Sequence, residues 1–343
     1  MGTDAVVRYR GPSHPDAPVG YCRGGAVRRR RVDEGPGMNL FRRPMLAVAD
    51  RPEVESLVRR SALTKGLVGR FVAGDTLDEA VAAVVRLSRV GLTSTLDQLG
   101  ENVGTAERAA EASRTYVGVL ERLSEAGVEP NISIKLTMLG LDLGEELTLE
   151  NARPVLDAAR RVGGFVRIDM EGSAYTDVTV RLFERLHDDY PEQVGTVVQT
   201  YLLRARADVE RLLERRARLR LVKGAYAEPA TVAYQDKADI DDNYGRLMEL
   251  LLERGNYPAI ATHDPALIER AKAFVAARRI GMDRFEFQLL YGVRRDAQSA
   301  LVQDGYRARV YVPYGTEWYP YFTRRIAERP ANALFVLRQF VDR

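Results

Sequence analysis

The sequence predicts an α/β protein folded as a (βα)8 barrel of the TIM type, and three observations carry that expectation. Eight short strand-like runs alternate with helix-like stretches from residue 91 onward, which is the pattern of a parallel sheet with helical crossovers. Eight such units need about 250 residues, and a chain of 343 residues accommodates them. No G-x-G-x-x-G follows any of the runs and no G-x-x-x-x-G-K-[ST] occurs, which counts against a doubly wound nucleotide-binding sheet, the competing architecture.

In chain order, residues 1–37 are rich in Gly, Pro and Arg, with RRRR at 28–31 and no apolar period, and read as a disordered extension. MNLFRRPML, from Met38, has the form of a second start. Residues 38–90 read as a small N-terminal helical section, because Val54, Leu57 and Val58, then Leu77, Ala80, Val81, Val84 and Leu87, recur at spacings of three and four. The barrel domain follows over 91–343. Its strands are expected in GLTSTLDQLG (91–100), NISIKLTML (131–139), FVRIDME (165–171), GTVVQTYL (195–202), RLRLVKGAY (218–226), PAIATHD (258–264), RFEFQLLYG (284–292) and RARVYVPYG (307–315). Between the first two lies ERAAEASRTYVGVLERLSEAG, a helix pattern that stops at Gly127.

A net charge of +3, with both signs abundant, gives no drive toward nucleic acid. The single cysteine, Cys22, excludes an internal disulfide framework and a multi-cysteine metal site, and points to a reducing compartment. No window approaches the roughly 18 apolar residues of a membrane span, and the basic start lacks the apolar stretch of a secretion signal. A cytoplasmic protein is expected.

Strand parity exposes the chemistry. Side chains alternate between two faces, so Ile132, Ile134 and Leu136 oppose Ser133, Lys135 and Thr137. Val166, Ile168 and Met170 oppose Arg167, Asp169 and Glu171, and Phe285, Phe287 and Leu289 oppose Glu286, Gln288 and Leu290. The apolar sets must meet the covering helices, so the polar sets face the barrel axis. Lys135, Asp169, Gln199, Arg220 and Tyr311 then converge inside, where unpartnered polar groups cost several kcal/mol. Mutual ion pairs are one way to satisfy them; a polar ligand at the C-terminal strand ends, near Asp169, Lys223, His263 and Tyr311, is the preferred one.

Three chemistries compete for such a cavity. A metal site is poor, since only His14, His187 and His263 exist without ligand spacing, and His187 reads as a helix-surface residue. Schiff-base chemistry at Lys135 or Lys223 is open, although parity places Lys223 on the face opposite Arg220. The third is an organic cofactor that carries redox chemistry. Toward the C-terminus, YFTRRIAERP (321–330) sets Arg324 and Arg325 before Glu328. The plain reading is a solvated ion-paired helix face; the aromatic neighbours Tyr311, Tyr314, Trp318, Tyr319, Tyr321 and Phe322 raise the question of an anion site.

LGE (99–101), ISIKL (132–136), RIDMEGS (167–173), VVQTYL (197–202), RLVKGAY (220–226), ATHD (261–264), FEFQLLYG (285–292), YVPYGT (311–316) and YFTRRIAERPAN (321–332) together resemble the proline dehydrogenase family over roughly residues 40 to 340. The resemblance implies a barrel whose last helix lies over the mouth. It also implies FAD-dependent oxidation of L-proline to 1-pyrroline-5-carboxylate, the first step of proline degradation to glutamate. The expected mechanism is hydride transfer from C5 of a neutral amine to flavin N5, with electrons passed to a quinone through a peripheral contact with the inner face of the membrane. The chain has no room for the aldehyde dehydrogenase domain of larger members, so a monofunctional enzyme with a separate pyrroline-5-carboxylate dehydrogenase downstream is expected. An aldolase-like barrel without flavin, and a barrel that senses an amino acid, remain the alternatives.

By motif, the resemblance implies that Arg324, Arg325 and Lys135 bind the substrate carboxylate, as a guanidinium fork suits it. Asp169 and Arg220 fall in the catalytic centre, where a fixed cation beside the flavin favours its reduced form. Glu328 would hold the arginine pair and Glu101 would close the site. Tyr226, Leu290, Tyr311 and Tyr321 would wall the pyrrolidine ring. FAD contacts are implied at Met170, Gln199, Lys223, Gly224, Ala225, Thr262 and His263, with Gly224 permitting close backbone approach and Gln199 donating and accepting at the flavin pyrimidine edge. ATHD in place of the more usual ATHN, and LLYGV where many members have LHGM, leave details of that surround open. Tyrosine at 311, where the hydroxyproline branch has a smaller residue, implies proline as substrate.

Overall fold

The computed structural model describes residue 66 and residues 68–327, and at residues 324–327 only the helical backbone. The expectations for residues 1–37 and for the first part of the helical section lie outside the described residues. Eight parallel strands close into a barrel in sequence order: β1 (Thr93–Gln98), β2 (Asn131–Ile134), β3 (Phe165–Ile168), β4 (Val194–Gln199), β5 (Arg218–Val222), β6 (Ala259–Ala261), β7 (Glu286–Leu290) and β8 (Ala308–Tyr314). β8 returns to pair with β1 from Thr93↔Arg309 to Gln98↔Tyr314, so no sheet edge is left exposed.

The helices between them are α1 (Leu77–Ser88), α2 (Ala106–Glu125), α3 (Glu145–Val162), α4 (Ser173–Asp189), α5 (Ala205–Glu214), α6 (Lys237–Arg254), α7 (Pro265–Arg278), α8 (Arg295–Gln303) and α9 (Tyr319–Ala327). Local sequence sets their starts. Thr76 and Glu79 form a reciprocal capping box on α1. Thr105 accepts from Arg108 N–H at the start of α2, and Asp264 with Pro265 opens α7. After α2, Gly127 takes the left-handed φ of +68° that lets the chain turn into β2.

The outward strand residues Ile132, Ile134, Val166, Ile168, Phe287 and Leu289 are buried in one continuous layer against the helices. Two sequence readings change. The run expected as strand through 139 stops at Ile134, and Leu136–Leu139 winds into a 3-10 turn closed by Gly140 at φ +95°. The turn still buries Leu136 and Leu139, so the apolar pattern is satisfied by a different geometry, and Thr137 leaves the strand to donate its hydroxyl to Glu171 at 2.7 Å. His187 is not a surface residue: it is 7% exposed on α4 and packs on Phe183, and burial lowers its pKa.

The interior is polar, as parity requires. Arg220 of β5 reaches Gln288 of β7 and Ser133 of β2, strands that are not neighbours of β5, so these contacts cross the barrel axis. Lower down, Arg309 binds Glu286 at 2.9 Å with side chains 4% and 3% exposed. Burial alone would raise the Glu286 carboxyl, but Arg309 and the hydrogen bonds from Arg309 and Gln288 outweigh it and hold the carboxyl below its ordinary value of 4.5.

Native Glu286 therefore binds its proton more weakly than the unfolded chain does. It contributes stability above the ordinary value that is lost as pH falls through its lowered one. Denaturant unfolding should show that loss on acidification. Glu286→Gln should be less stable near neutrality yet show a shallower acid loss; an acid limb as steep as that of the parent chain would refute the assignment.

Candidate active site

The strand ends bring Asp169, Arg220 and Tyr311 together from β3, β5 and β8. The Asp169 N–H still donates to Ile134 O at 2.9 Å, so the residue leaves the sheet in a fixed direction. Its Oδ1 accepts from Arg220 Nη1 at 2.7 Å and its Oδ2 from the Tyr311 hydroxyl at 2.8 Å. The Arg220 guanidinium carbon lies 5.3 Å from the centre of the Tyr311 ring. Burial, then the negative charges of Asp169 and Asp97, push the Tyr311 phenol well above its ordinary value. It is thus a hydrogen-bond donor at neutral pH.

A second buried pair stands beside this one. Lys135, the first residue past β2, places Nζ 2.9 Å from Asp97 Oδ1 of β1, with side chains 8% and 1% exposed. Burial works against the ammonium, but Asp97, Tyr116 and Asp169 more than offset it and raise the Lys135 pKa. Burial pushes the Asp97 carboxyl up against the pull of Lys135. An amine held in its charged form is a poor nucleophile, which weakens the Schiff-base reading at Lys135. Lys223 faces away from Arg220, as parity indicated, and lies between Asp241 of α6 and Asp264, the N-cap of α7, the latter at 2.9 Å.

The remaining expected residues ring the mouth. Gln199 Nε2 donates to the carbonyls of Glu171 at 2.7 Å and Met170 at 3.4 Å. Gly224 has φ +117°, and an added Cβ would fall 2.2 Å from the Tyr201 ring, so glycine is required here by backbone and by packing at once. Ala225 and Tyr226 follow, partly buried, in a loop tied to α4 by Glu228, which accepts from Ser173 N at 2.7 Å. Thr262 Oγ1 accepts from Asp264 N–H at 3.1 Å. His263 Nε2 accepts from Leu290 N–H at 2.9 Å, and an accepting Nε2 means a neutral ring with its proton on Nδ1. Glu101, Lys135 and Tyr321 line a cavity of about 740 Å³ between the loop after β1 and α9. The side chains of Arg324 and Arg325, and Glu328 altogether, lie outside the described residues.

Asp97, Ser133 and Gln288 were missed as site residues. Parity had already placed Ser133 and Gln288 on the inner face, and the same reading applied to β1 would have set Asp97 opposite the buried Leu96. Among the described residues no group of three or more His, Cys, Asp or Glu is arranged to hold a metal ion.

Residues 80–338 match the proline dehydrogenase family. The chain belongs to the proline dehydrogenase family. Every expected site residue from Glu101 to Glu328 falls inside the matched span. The chain is similar to proline dehydrogenase of Deinococcus radiodurans, at 47% identity over 303 residues, covering 87% of this chain and 97% of that one. It is 45% identical over 269 residues to proline dehydrogenase 1 of Bacillus subtilis (strain 168), covering 78% and 89%. Among solved structures, proline utilization A of Bdellovibrio bacteriovorus inactivated by N-propargylglycine aligns with a TM-score of 0.73 at 25% identity, over 84% of this chain and 36% of that one. The strand ends that form the barrel mouth all lie within the matched span.

Removing one partner of a buried ion pair typically costs about 3–5 kcal/mol, whereas replacing both costs far less. Asp97→Ala should therefore destabilise the fold by that order in denaturant unfolding, and Asp97→Ala combined with Lys135→Met should recover most of the loss. A double variant no more stable than the single one would mean that the pair is not the stabilising unit.

Proposed function

We propose that the protein oxidises L-proline to 1-pyrroline-5-carboxylate with FAD as its cofactor and a quinone as final electron acceptor. The observation that carries this reading is the Asp169–Arg220–Tyr311 constellation at the barrel mouth, inside the family match. The polar set on the β3 to β6 side fits a flavin: an amide whose Nε2 is committed to the Met170 and Glu171 carbonyls and whose Oε1 can accept (Gln199), a hydroxyl (Thr262), an imidazole (His263) and the Arg220 cation, with Lys223 on the opposite face between Asp241 and Asp264. Thr200 Oγ1, next to Gln199, is buried without a partner. Met170, Gln199, Lys223, Gly224, Ala225, Thr262 and His263 would hold the cofactor. The chemistry FAD supplies when bound is acceptance of the two electrons released as the C–N bond of proline becomes an imine.

The chain's own residues do the rest. Lys135, with Arg324 and Arg325 one turn beyond Tyr321, holds the substrate carboxylate by charge-assisted hydrogen bonds. Tyr226, Leu290, Tyr311 and Tyr321 wall the pyrrolidine ring and exclude water. Asp169 fixes Arg220 with one oxygen and Tyr311 with the other, so the ring wall and the cation keep one relative geometry. Glu101 closes the site over the substrate, and Glu328 steadies the arginine pair. Among the described residues no helix is long and apolar enough to cross a membrane. Quinone would be reached by a peripheral contact. The product passes to a separate pyrroline-5-carboxylate dehydrogenase.

The purified protein should show flavin absorption that bleaches when L-proline is added without oxygen. A protein that remains colourless after incubation with FAD would refute the redox reading, and borohydride trapping with substrate would then test Lys135 and Lys223 directly. Within the reading, Tyr311 limits room beside the substrate ring. Tyr311→Ser should raise kcat/KM for hydroxyproline relative to proline, and an unchanged ratio would sink the assignment of Tyr311 to specificity.

A further inference from the structure

A line of polar side chains runs down the barrel axis from Arg220, and the reaction as read above does not use it. Gln288, 4% exposed, accepts from Arg220 Nε through its Oε1 at 2.6 Å. Its Nε2 donates to Glu286 Oε1, two residues back on the same strand face. Glu286 accepts in turn from Arg309 Nε at 2.9 Å, and Arg309 is bound to Glu129 at 2.9 and 3.0 Å. An ionised carboxylate only accepts and a guanidinium only donates, so the amide between them has a single orientation. Asp169 and Ser133 hold Arg220 at Nη1; Gln288 holds it at Nε.

We propose that Gln288 is a positioning residue for Arg220: oriented by Glu286, it fixes the tilt of the guanidinium against Asp169 and Tyr311. This rests on the reading that Arg220 acts beside a bound flavin. A planar guanidinium held at both Nε and Nη1 cannot pivot, whereas one held at Nη1 alone swings about that contact. Leucine at 288 fills similar volume but offers no acceptor, and it leaves both Arg220 Nε and Glu286 short of a partner. The cation that tunes the flavin then loses its fixed distance from it.

The test compares FAD-loaded parent enzyme with Gln288→Leu, Gln288→Glu, the exchange Glu286→Gln with Gln288→Glu, and Arg220→Met as reference. Flavin midpoint potential, kcat and KM for L-proline, and thermal midpoint are measured for each. Gln288→Leu should lower kcat by roughly tenfold or more, as small misplacements do. KM should change little, because Arg324, Arg325 and Lys135 carry the carboxylate, and the potential should move in the direction set by Arg220→Met. The exchange keeps the order of donors and acceptors, so it should recover thermal stability over Gln288→Glu alone while shifting the potential negative, since an anion then abuts Arg220. A Gln288→Leu enzyme with parental potential and kcat but a lower thermal midpoint would make Gln288 merely structural and overturn the proposal. If Arg220→Met itself leaves the potential unchanged, the placement of Arg220 beside the flavin fails, and the proposal falls with it.

Discussion

The hydrogen-bonded ion pair between Arg220 and Asp169 is the contact on which the arrangement of the mouth depends, because it joins two non-neighbouring strands across the axis of a closed barrel. A barrel interior is ordinarily filled by branched apolar side chains. Here the inward positions of β2, β3, β5, β7 and β8 carry Ser133, Arg167, Arg220, Glu286, Gln288 and Arg309, all buried. Water cannot solvate them there, so each must find its partners among the others. The consequence is rigidity: Arg220 is bonded to side chains of β2, of β7 and of the residue just past β3, and moving any one of them strains the others.

Not every buried charge is well served by this scheme. Arg167 sits under Arg220 and Arg218, and burial together with those two cations lowers its pKa well below the usual value. It spends one nitrogen on the carbonyls of Thr196 and Arg218, while its Nε is left without a partner. The strain falls at the base of the barrel, away from the mouth, where the chemistry proposed here does not need precise placement. At the mouth, Lys135 pairs with Asp97 and Arg220 with the partly buried Asp169, while the buried Glu171 carboxyl accepts from the Thr137 N–H and hydroxyl.

Much of this could be read from the sequence because both periodicities are local. Alternation along a strand places Ser133, Asp169, Glu286 and Gln288 inward whatever the rest of the chain does, and eight such strands with helices between them leave few closed topologies. Pairings were not legible, because they depend on the stagger between strands and not on spacing within one. Asp97 meets Lys135 only because β1 and β2 are registered Asp97↔Ser133, which puts Lys135 two residues beyond the pairing point. The end of β2 was likewise hidden: Leu136 and Leu139 are apolar and buried in either geometry, and Gly140 alone marked the turn. Gly224 was read for close approach of a cofactor, whereas its Cβ direction is filled by Tyr201, a contact between residues on two different loops.

The pairing at the mouth also bears on how an amino-acid carboxylate is held. Lys135 already has Asp97 as counter-ion, with Asp169 close enough to raise its pKa further. A carboxylate approaching Lys135 therefore meets an ion pair of no net charge, which orients by hydrogen bonding but attracts weakly over distance. Arg220 is balanced in the same way by Asp169. The excess positive charge that a buried anion needs would come from outside both pairs, and the proposed function assigns it to Arg324 and Arg325 of α9. On this reading the barrel supplies fixed, neutralised groups that set geometry, and the helix supplies the net charge that completes the site. On that proposal, binding strength and reaction geometry are assigned to different elements.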